Sequence, residues 1–395
     1  MSAWQQGQLG DLCRFVGGQG FSPEFQGSQA GDVPFIKVSD MELPGNERRI
    51  TAANNWVTYE VVSTARFKTQ PVDSIVFAKI GEAIKRERVR LLTRPTIIDN
   101  NMMAAIPNLN TCTPGFLYYL FQFTPFSKDH GGTSLPYLRA GDMVNIGVSY
   151  PPLDEQQRIA GVLGAFDDLI ETNRNTQRSM EALAHALFAR EGFDALPSGD
   201  MVSLGEVIEV NPRVSKPKGQ APYVDMAALP ADSALLGPAS AREAAGGAKF
   251  HNGDTLLARI TPCLENGKTA FVTNLPDQST GVGSTEFIVL RGSRDTGSFW
   301  PYCLARSPRF RAFAIQQLGD GTSGRQRVSA GAVSEYVIPV PGQKPLRRFR
   351  EAVEPLVEGM IALHEEALDL TRQRDKLLPL LMSGKVRVSD LEGVA

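Results

Sequence analysis

A long internal repeat limits the folds open to this chain of 395 residues. Short motifs return in the same order in the second half, about 190 residues after their first occurrence. The offset drifts, as expected when the loops between matched elements differ in length. The matched pairs are Leu9-Gly10-Asp11-Leu12 with Leu204-Gly205-Glu206-Val207, Val33-Pro34-Phe35-Ile36 with Ala221-Pro222-Tyr223-Val224, Ala78-Lys79-Ile80 with Ala258-Arg259-Ile260, Gly132-Thr133-Ser134 with Gly321-Thr322-Ser323, and Ala140-Gly141 with Ala330-Gly331. One unit of sequence is therefore present twice.

Each copy begins with a globular module, which we place at residues 1–152 (the first module) and 193–342 (the second module). Apolar runs at 73–80 and 254–260, separated from their neighbours by Gly, Pro and Asn, predict short strands. Helix starts are predicted where a hydroxyl residue precedes a proline, at Thr113-Pro114, Thr124-Pro125 and Ser307-Pro308. The mixture predicts an α+β fold for each module.

Each module is followed by a segment with helical periodicity, at residues 153–192 and 343–395. Alternating steps of four and three between apolar residues predict helices that pair as a coiled coil. The predicted contact positions of the first helix are Ile159, Leu163, Phe166, Ile170, Asn173, Gln177, Met180, Ala184 and Leu187. Those of the second helix are Phe349, Val353, Leu356, Met360, Leu363, Ala367, Leu370, Arg374, Leu377 and Leu381.

The periodicity of these two helices is compatible with two arrangements. In the first, each helix packs only on its own module. In the second, the helices pair with each other, in antiparallel fashion, and form a spacer of roughly 57 Å between the modules. Equal length, equal phase and polar interruptions at Asn173, Gln177 and Arg374 favour pairing, because a polar residue at a contact position fixes register.

The sequence lacks the motifs of most enzyme and cofactor-binding classes. Its four cysteines and four histidines are scattered, so no zinc site is expected. Gly267-Lys268-Thr269 is not preceded by the glycine of a P-loop, and no dinucleotide-binding motif is complete. No stretch is apolar enough to span a membrane and no signal peptide is evident, so a cytoplasmic protein is expected. With a net charge of −2, any DNA-binding surface must be local.

Two segments resemble the specificity subunit of type I restriction–modification enzymes. Tyr150-Pro151-Pro152-Leu153-Asp154-Glu155-Gln156-Gln157-Arg158-Ile159 is similar to that family's P-P-L-x-E-Q-x-x-I junction between a target-recognition domain and its helix. Leu377–Val388 is similar to the family's L-L-S-G-x-[IV]-x-[VI] tail, but residues 340–349 lack the full junction motif.

The resemblance implies a non-catalytic subunit with two target-recognition domains, each reading half of a bipartite site in double-stranded DNA. It implies that two modification subunits methylate adenine with S-adenosylmethionine, that restriction subunits hydrolyse ATP and cut with Mg²⁺, and that these partners bind the helices. This chain itself would hold no cofactor and no metal. Two readers on one face of DNA must lie about 34–36 Å apart, or a multiple of this, which a rigid helix pair can span.

Cations and polar residues in loops are the candidate DNA contacts, since they neutralise phosphates or read base edges. In the first module these are Lys79, Lys85, Arg86 and Arg88, followed by Thr133, Ser134 and Arg139. In the second module they are Arg259, Asn266 and Lys268, followed by Thr322, Ser323, Arg325 and Arg327. Helix contacts with the partner helix or partner subunits are expected at Ile159, Leu163, Phe166, Ile170, Phe349, Val353, Leu356, Leu363, Leu370 and Leu377.

Two other functions are compatible with a duplicated sequence of this kind. One is a DNA-binding or protein-binding scaffold outside restriction, which a neighbouring methyltransferase gene would disfavour. The other is a methyltransferase or nuclease with a divergent site, which turnover by the pure chain would reveal.

Overall fold

The computed structural model describes residues 4–126, 137–196, 199–237, 239–244, 246–273, 275–276, 279–318 and 326–392. The chain divides into two compact units. Unit 1 comprises Met1–Thr172 and Ala367–Ala395, and unit 2 comprises Asn173–Glu366. Each unit therefore contains one module together with parts of both long helices.

The first module is built from short strands around a five-stranded sheet. Its strands are β1 (Gln5–Gln8), β2 (Cys13–Gly17), β3 (Val33–Ile36), β4 (Arg49–Ile50), β5 (Trp56–Val57), β6 (Ile75–Ala78), β7 (Val89–Leu92), β8 (Ile97–Ile98), β9 (Met102–Pro107) and β10 (Gly147–Tyr150). The sheet has the order β2-β9-β6-β7-β4, beside a three-stranded sheet β5-β3-β8 and the pair β1-β10. All four residues of the central strand β6 are buried, which explains its uninterrupted apolar sequence.

The helices of the first module are short. They are α1 (Leu9–Leu12), α2 (Tyr59–Thr64), α3 (Pro114–Phe123) and α4 (Ala140–Val144), and 3-10 turns lie at Pro23–Phe25, Val38–Glu42 and Gly81–Arg86. Helix α3 begins as predicted, because the Thr113 side chain accepts a hydrogen bond from the Phe116 N–H and Pro114 occupies the first turn. The predicted helix start at Thr124-Pro125 is wrong for the described residues 124–126, which are not helical. Thr124 instead follows the end of α3.

The second module repeats this architecture. Its strands are β11 (Met201–Ser203), β12 (Glu209–Val210), β13 (Gln220–Val224), β14 (Ser240–Glu243), β15 (Ala248–Phe250), β16 (Asp254–Ala258), β17 (Thr269–Phe271), β18 (Gly281–Gly283), β19 (Phe287–Arg291) and β20 (Val337–Pro339). They form sheets of order β12-β19-β16-β17 and β14-β13-β18-β15 and the pair β11-β20. The helices are α6 (Leu204–Val207), α7 (Trp300–Arg306), α8 (Pro308–Gln316) and α9 (Ala330–Ser334).

The backbone contacts of the two modules match, as the repeated sequence predicts. The antiparallel pair β1-β10 corresponds to β11-β20, and the parallel pair β3-β8 corresponds to β13-β18. The Leu9 N–H donates to the Ile146 carbonyl at 2.9 Å, and the Leu204 N–H donates to the Tyr336 carbonyl at 2.8 Å. The duplicated α+β architecture is confirmed.

The two long helices are α5 (Leu153–Arg190) and α10 (Gln343–Met382), and α11 (Val388–Glu392) follows α10. In unit 1, the Arg374 guanidinium of α10 contacts the Asp167 carboxylate of α5 at 2.5 Å. In unit 2, Asn173 of α5 donates to Glu366 of α10 at 3.0 Å. Also in unit 2, Met180 lies against Gly359. Residue numbers rise along one helix as they fall along the other, so the antiparallel pairing is confirmed.

The paired helices also belong to the cores of the modules. In unit 1, Ile159 and Leu163 of α5 and Leu381 of α10 are buried with Leu9 and Leu12 of the first module. In unit 2, the helices contribute Ala184, Phe188, Phe349, Val353 and Met360 to the core around Trp300. Helix pairing and packing on the modules therefore occur together, because each helix has an apolar surface wide enough for both contacts.

Candidate nucleic-acid interface

Lys79 and Arg259, predicted DNA contacts in the two modules, occupy equivalent positions at the end of a buried central strand. Lys79 follows β6, and its N–H donates to the Asn101 carbonyl at 2.8 Å. Arg259 follows β16, and its N–H donates to the Glu286 carbonyl at 3.0 Å. The same backbone frame thus positions a cation in both modules.

A second segment of the chain forms a backbone hydrogen bond with each of these two residues. The Leu138 N–H donates to the Lys79 carbonyl at 2.8 Å, and the Val328 N–H donates to the Arg259 carbonyl at 3.0 Å. Isolated β-bridges join Ile80 to Tyr137 and Ile260 to Arg327. Tyr137 and Arg327 are therefore equivalent. The Gly-Thr-Ser segments with the candidates Thr133, Ser134, Thr322, Ser323 and Arg325 lie outside the described residues.

The turn after β6 in the first module carries cations that are held by carboxylates. Lys85 contacts Glu82 at 2.7 Å, and both side chains are exposed. Arg86 contacts Glu42 at 3.1 Å, and Arg88 contacts the same carboxylate. The sequence did not indicate that Arg86 and Arg88 contact Glu42, because Glu42 lies far from both of them in the chain.

Two further cations of this segment have structural roles. The Arg90 guanidinium donates to the Met41 carbonyl at 3.1 and 3.3 Å. Burial lowers the pKa of Arg90. Arg94 lies over the Trp56 ring, 5.5 Å from its centroid. These contacts stabilise the module and leave Lys85, Arg86 and Arg88 as the candidate DNA contacts of the turn.

The turn after β16 in the second module follows the same path. Glu87 and Gly267 both adopt a left-handed conformation, with φ of 45° and 70°, and their N–H groups both donate at 2.9 Å, to the Ile84 and Leu264 carbonyls. Asn266 is exposed and corresponds to Arg86. Lys268 corresponds to Arg88, but its ammonium group donates to the Met226 carbonyl at 2.9 Å. Lys268 is thus partly committed to a contact within the module.

A cleft of about 620 Å³ in the second module adds cations that the sequence analysis did not nominate. Arg213, Lys249 and Arg259 line it, together with Asn211, Pro212, Val214, Ser215, Gly247, Ala248, Thr285, Phe287 and Val289. Among these described lining residues three are cationic and none is acidic, so the cleft attracts anions. The sequence signal that could have indicated this cleft is the group of cations at Arg213, Lys216 and Lys218, with Val, Ser and Pro between them.

Glu286 joins the two arginines of the second module. Its carboxylate contacts Arg259 at 4.0 Å and Arg327 at 2.8 Å. Nε of Arg327 also donates to both carboxylate oxygens at 2.9 Å. The hydrogen bond to Glu286 and the charge of that carboxylate raise the pKa of Arg327. The plane of the Arg327 guanidinium is therefore fixed before any ligand binds.

Arg139, the remaining candidate, is exposed and immediately precedes helix α4. At the corresponding position of the second module, the Ser329 side chain accepts a hydrogen bond from the Ala332 N–H at 3.0 Å and caps α9. Arg139 has no side-chain capping bond in α4. This position is thus used for helix capping in only one module.

Gln156, in the junction segment, is a structural residue that the sequence analysis did not single out. Its side chain is buried, and its oxygen accepts a hydrogen bond from the Thr113 N–H at 2.9 Å. Its nitrogen donates to the Thr111 and Pro151 carbonyls, both at 2.9 Å. The amide joins the start of α5 to the start of α3, which explains a glutamine at this place in the motif.

The C-terminal tail packs against the N-terminus of the chain in unit 1. Gly384 has a φ of 69°, and a Cβ atom there would lie 2.9 Å from Trp4. The glycine therefore satisfies both the left-handed turn after α10 and the close approach of the indole. Met382 and Val388, on either side of this turn, are buried in the core of unit 1.

The described residues offer no alternative site of obvious chemistry. Within them, no group of three or more His, Cys, Asp or Glu side chains is arranged to hold a metal ion. No helix in the described part of the chain has the length and apolarity needed to cross a membrane. Burial raises the pKa of the Cys13 thiol to about 12, and it also raises the pKa of the Cys303 thiol, which disfavours thiolates at both positions.

Comparison with known proteins adds independent information. Residues 1–182 match the model of the type I restriction modification DNA specificity domain. The chain is 24% identical to the type I restriction enzyme MjaIX specificity subunit of Methanocaldococcus jannaschii, over 98% of this chain and 94% of that protein. It is 25% identical to the type I restriction enzyme EcoEI specificity subunit of Escherichia coli, over 48% of this chain and 33% of that protein.

Among solved structures, the S subunit of a type I restriction-modification system from M. genitalium superposes with a TM-score of 0.55 at 16% identity. The superposition covers 96% of each chain and shows a shared fold. The junction motif, the duplicated architecture, the paired helices and the full-length relative agree. Residues 1–182 thus match the DNA specificity domain, and the chain as a whole is similar to the specificity subunits of type I restriction enzymes.

Proposed function

We propose that this chain reads a bipartite site in double-stranded DNA, one half with residues 1–152 and the other with residues 193–342. The observation that carries the proposal is the equivalent placement of Lys79 and Arg259, each of which accepts a backbone hydrogen bond from a second segment of the chain, at Leu138 and Val328. Two modules that share a backbone arrangement but differ in side chains could recognise two half-sites of different sequence. Phosphate contacts would come from Lys85, Arg86, Arg88, Arg213 and Lys249, since cations position a protein on DNA.

The spacer helices, residues 153–192 and 343–395, are proposed to bind the partner subunits. Leu169 in unit 1 is 41% exposed and Leu183 in unit 2 is 49% exposed, both on α5. On α10, the predicted contact residues Leu356, Leu363, Leu370 and Leu377 are only half-buried. Apolar side chains left accessible on paired helices favour docking of further helices. Two modification subunits and restriction subunits are the proposed partners, with S-adenosylmethionine, ATP and Mg²⁺ bound by them in the cytoplasm.

The proposal is tested by co-expressing the chain with its modification subunit and selecting duplexes from a randomised DNA pool. We expect enrichment of two short blocks separated by a spacer of fixed length, and methylated adenine within the enriched site. A complex that enriches no sequence would contradict the proposal. Recovery of an enriched sequence without an associated methyltransferase would favour a DNA-binding scaffold outside restriction.

The contribution of the first turn is tested by the salt dependence of binding. Changing Lys85, Arg86 and Arg88 together to Gln should lower the slope of log K against log salt by about 2–3, since each lost phosphate contact removes about 0.9. The matched control changes the exposed cations Arg66, Lys68 and Arg294, which lie outside the spacer helices, to Gln and alters net charge equally. Equal slopes in both variants would show that the turn does not contact DNA.

A further inference from the structure

Three residues from separate segments of the chain meet at the same place in each module. In the second module they are Arg259, Glu286 and Arg327, and we call them the second triad. Backbone hydrogen bonds from Arg259 to Glu286 and from Val328 to Arg259 hold the three segments together. The matching residues of the first module, found through the same bonds, are Lys79, Asn101 and Tyr137, the first triad.

The two triads share a backbone frame but differ completely in side-chain chemistry. In the first triad the Lys79 ammonium lies over the Tyr137 ring, 5.8 Å from its centroid. The Asn101 amide donates to Asp99 at 3.1 Å. In the second triad two guanidinium groups share one carboxylate. Two modules that must recognise different sequences need such a position, where the path of the backbone stays fixed while the hydrogen-bonding groups change.

The charge balance of the second triad suits a base edge better than a phosphate. Glu286 offsets the charge of one arginine and repels a phosphate that approaches Arg327. A base edge is neutral and requires oriented donors instead of net charge. The bidentate contact with Glu286 fixes the fork of Arg327, and a fixed arginine fork matches the O6 and N7 acceptors of guanine in the major groove.

The cleft supplies the phosphate contacts beside this position. Arg259 belongs to both sites, because it lines the cleft with Arg213 and Lys249 and also contacts Glu286. A DNA backbone placed against the cleft cations would bring the neighbouring base edges towards Arg327. The described lining of the cleft has three cations and no carboxylate, whereas Glu286 offsets one of the two arginines of the second triad, so the cleft is the more positive of the two sites.

We propose that the two triads are the base-reading positions of the two modules, and that the second triad reads a guanine through Arg327, with Glu286 as the positioning residue. The inference rests on the proposed function, since it names the residues that determine specificity within it. Tyr137, Asn101 and Glu286 were not among the residues nominated from the sequence. Arg259 and Arg327 were among the candidate DNA contacts nominated from the sequence.

The test uses the full chain in complex with its modification subunits and a randomised duplex pool. Arg327→Lys keeps the charge but loses the fork. This variant should lose preference at one G·C pair of one half-site by about 5- to 150-fold, while the other half-site is unchanged. Glu286→Gln should reduce preference at that same pair and strengthen binding to unrelated duplexes, because it removes a negative charge. A residue with only a structural role would weaken binding to all duplexes alike.

The control is Arg294→Gln, which removes an exposed cation of the second module outside the cleft, the second triad and the spacer helices, and should leave the selected sequence unchanged. Arg327 is itself 41% exposed at its side chain, so folding of its variants is expected, and Glu286→Gln provides a second variant of near-identical shape. If the native complex enriches a bipartite sequence and both variants enrich the same one with equal stringency, the triad assignment is overturned. Loss at a pair other than G·C overturns the guanine assignment. If the native complex enriches no sequence, the proposed function itself fails.

Discussion

Gln156 and Leu346 occupy equivalent positions in the first turns of the two long helices. Different interactions hold the two side chains in place. The Gln156 amide uses three hydrogen bonds inside unit 1. Leu346 is buried in the apolar core of unit 2. A polar junction fixes both the distance and the orientation of α5, because hydrogen bonds are directional and apolar contacts are not. This difference accounts for the missing junction motif in the second copy.

Replacing this amide with the residue of the second copy should destabilise unit 1. Gln156→Leu would remove the partner of the partly buried Thr113 N–H and of two carbonyl groups, at a cost of about 1–3 kcal/mol in the free energy of unfolding. Gln157→Leu is the matched control, since Gln157 is exposed and surface changes stay within about 0.5 kcal/mol. Urea unfolding measures both, and equal stabilities would contradict the role assigned to Gln156.

His364 of α10 should make the stability of unit 2 depend on pH. Burial lowers the pKa of His364 below its usual 6.5, an effect partly opposed by the hydrogen bond that its Nε2 donates to the Leu236 carbonyl at 2.8 Å. The unfolded chain then binds the proton more readily, so the free energy of unfolding falls as the pH drops below about 6.5 and levels off below the pKa of the folded state. Above that range the histidine is neutral in both states.

Urea unfolding at several pH values between neutral and mildly acidic tests this expectation. His364→Gln keeps a donor for Leu236 and removes the titration, so the difference between native chain and variant should change with pH. A constant difference across the range would rule out His364 as a source of pH dependence.

At the scale of elements, the paired helices combine apolar and polar contacts. Asp167 of α5 is buried, accepts a hydrogen bond from the Tyr119 hydroxyl at 2.6 Å and contacts Arg374 of α10. Arg48 lies 3.7 Å from the same carboxylate. In unit 2, the Tyr302 hydroxyl similarly donates to Glu181 of α5 at 2.6 Å. In both units, therefore, a buried carboxylate of α5 accepts a hydrogen bond from a module helix, at Tyr119 of α3 and Tyr302 of α7.

Asp167→Asn should strongly destabilise unit 1. The change leaves Arg374 and Arg48 with only the largely exposed carboxylates of Asp375 and Asp168 as counter-charges, and breaking a buried ion pair on one side costs about 3–5 kcal/mol. Asp168→Asn is the matched control, because Asp168 pairs with Arg48 and Arg49 but is largely exposed, and exposed pairs contribute about 0–1 kcal/mol. Denaturant unfolding of both variants decides the issue, and a similar small loss in each would show that the Asp167 network adds little.

At the scale of the whole molecule, the segments around Trp4 and Val386 pack on one core, and the middle of the chain has a core of its own. Trp4 near the N-terminus and Val386 near the C-terminus pack on the core of unit 1. Unit 2 has its own core around Trp300. Because each module has its own apolar core, each should tolerate replacement by a related module that preserves the helix contacts.

Exchanging residues 1–152 for the equivalent module of a related specificity subunit should change one half-site and leave the other intact. The donor must retain backbone groups that pair with Gln156 and apolar residues that pack on Ile159 and Leu163. Mapping methylated adenines in cells that express the hybrid complex gives the answer. A change in both half-sites would contradict independent reading by the two modules.

The sequence by itself determined the duplication, the α+β class of the modules and the two long helices with their antiparallel pairing. These features follow from local signals: repeated motifs, apolar periodicity and capping residues such as Thr113 and Ser307. A local signal fixes local backbone geometry, and a repeat transfers that geometry to the second copy.

The tertiary structure alone decided which side chains meet. On α5 the buried positions drift from the predicted heptad, so that Asp167, Glu181 and Phe188 are buried while Phe166, Met180 and Leu187 are only partly buried. A helix of 3.6 residues per turn does not maintain a repeat of 3.5, and this mismatch shifts its buried face. The pairing of Arg88 with Glu42, and of Arg327 with Glu286, joins segments far apart in the chain. Contacts of this kind depend on how the strands assemble, which no local spacing encodes.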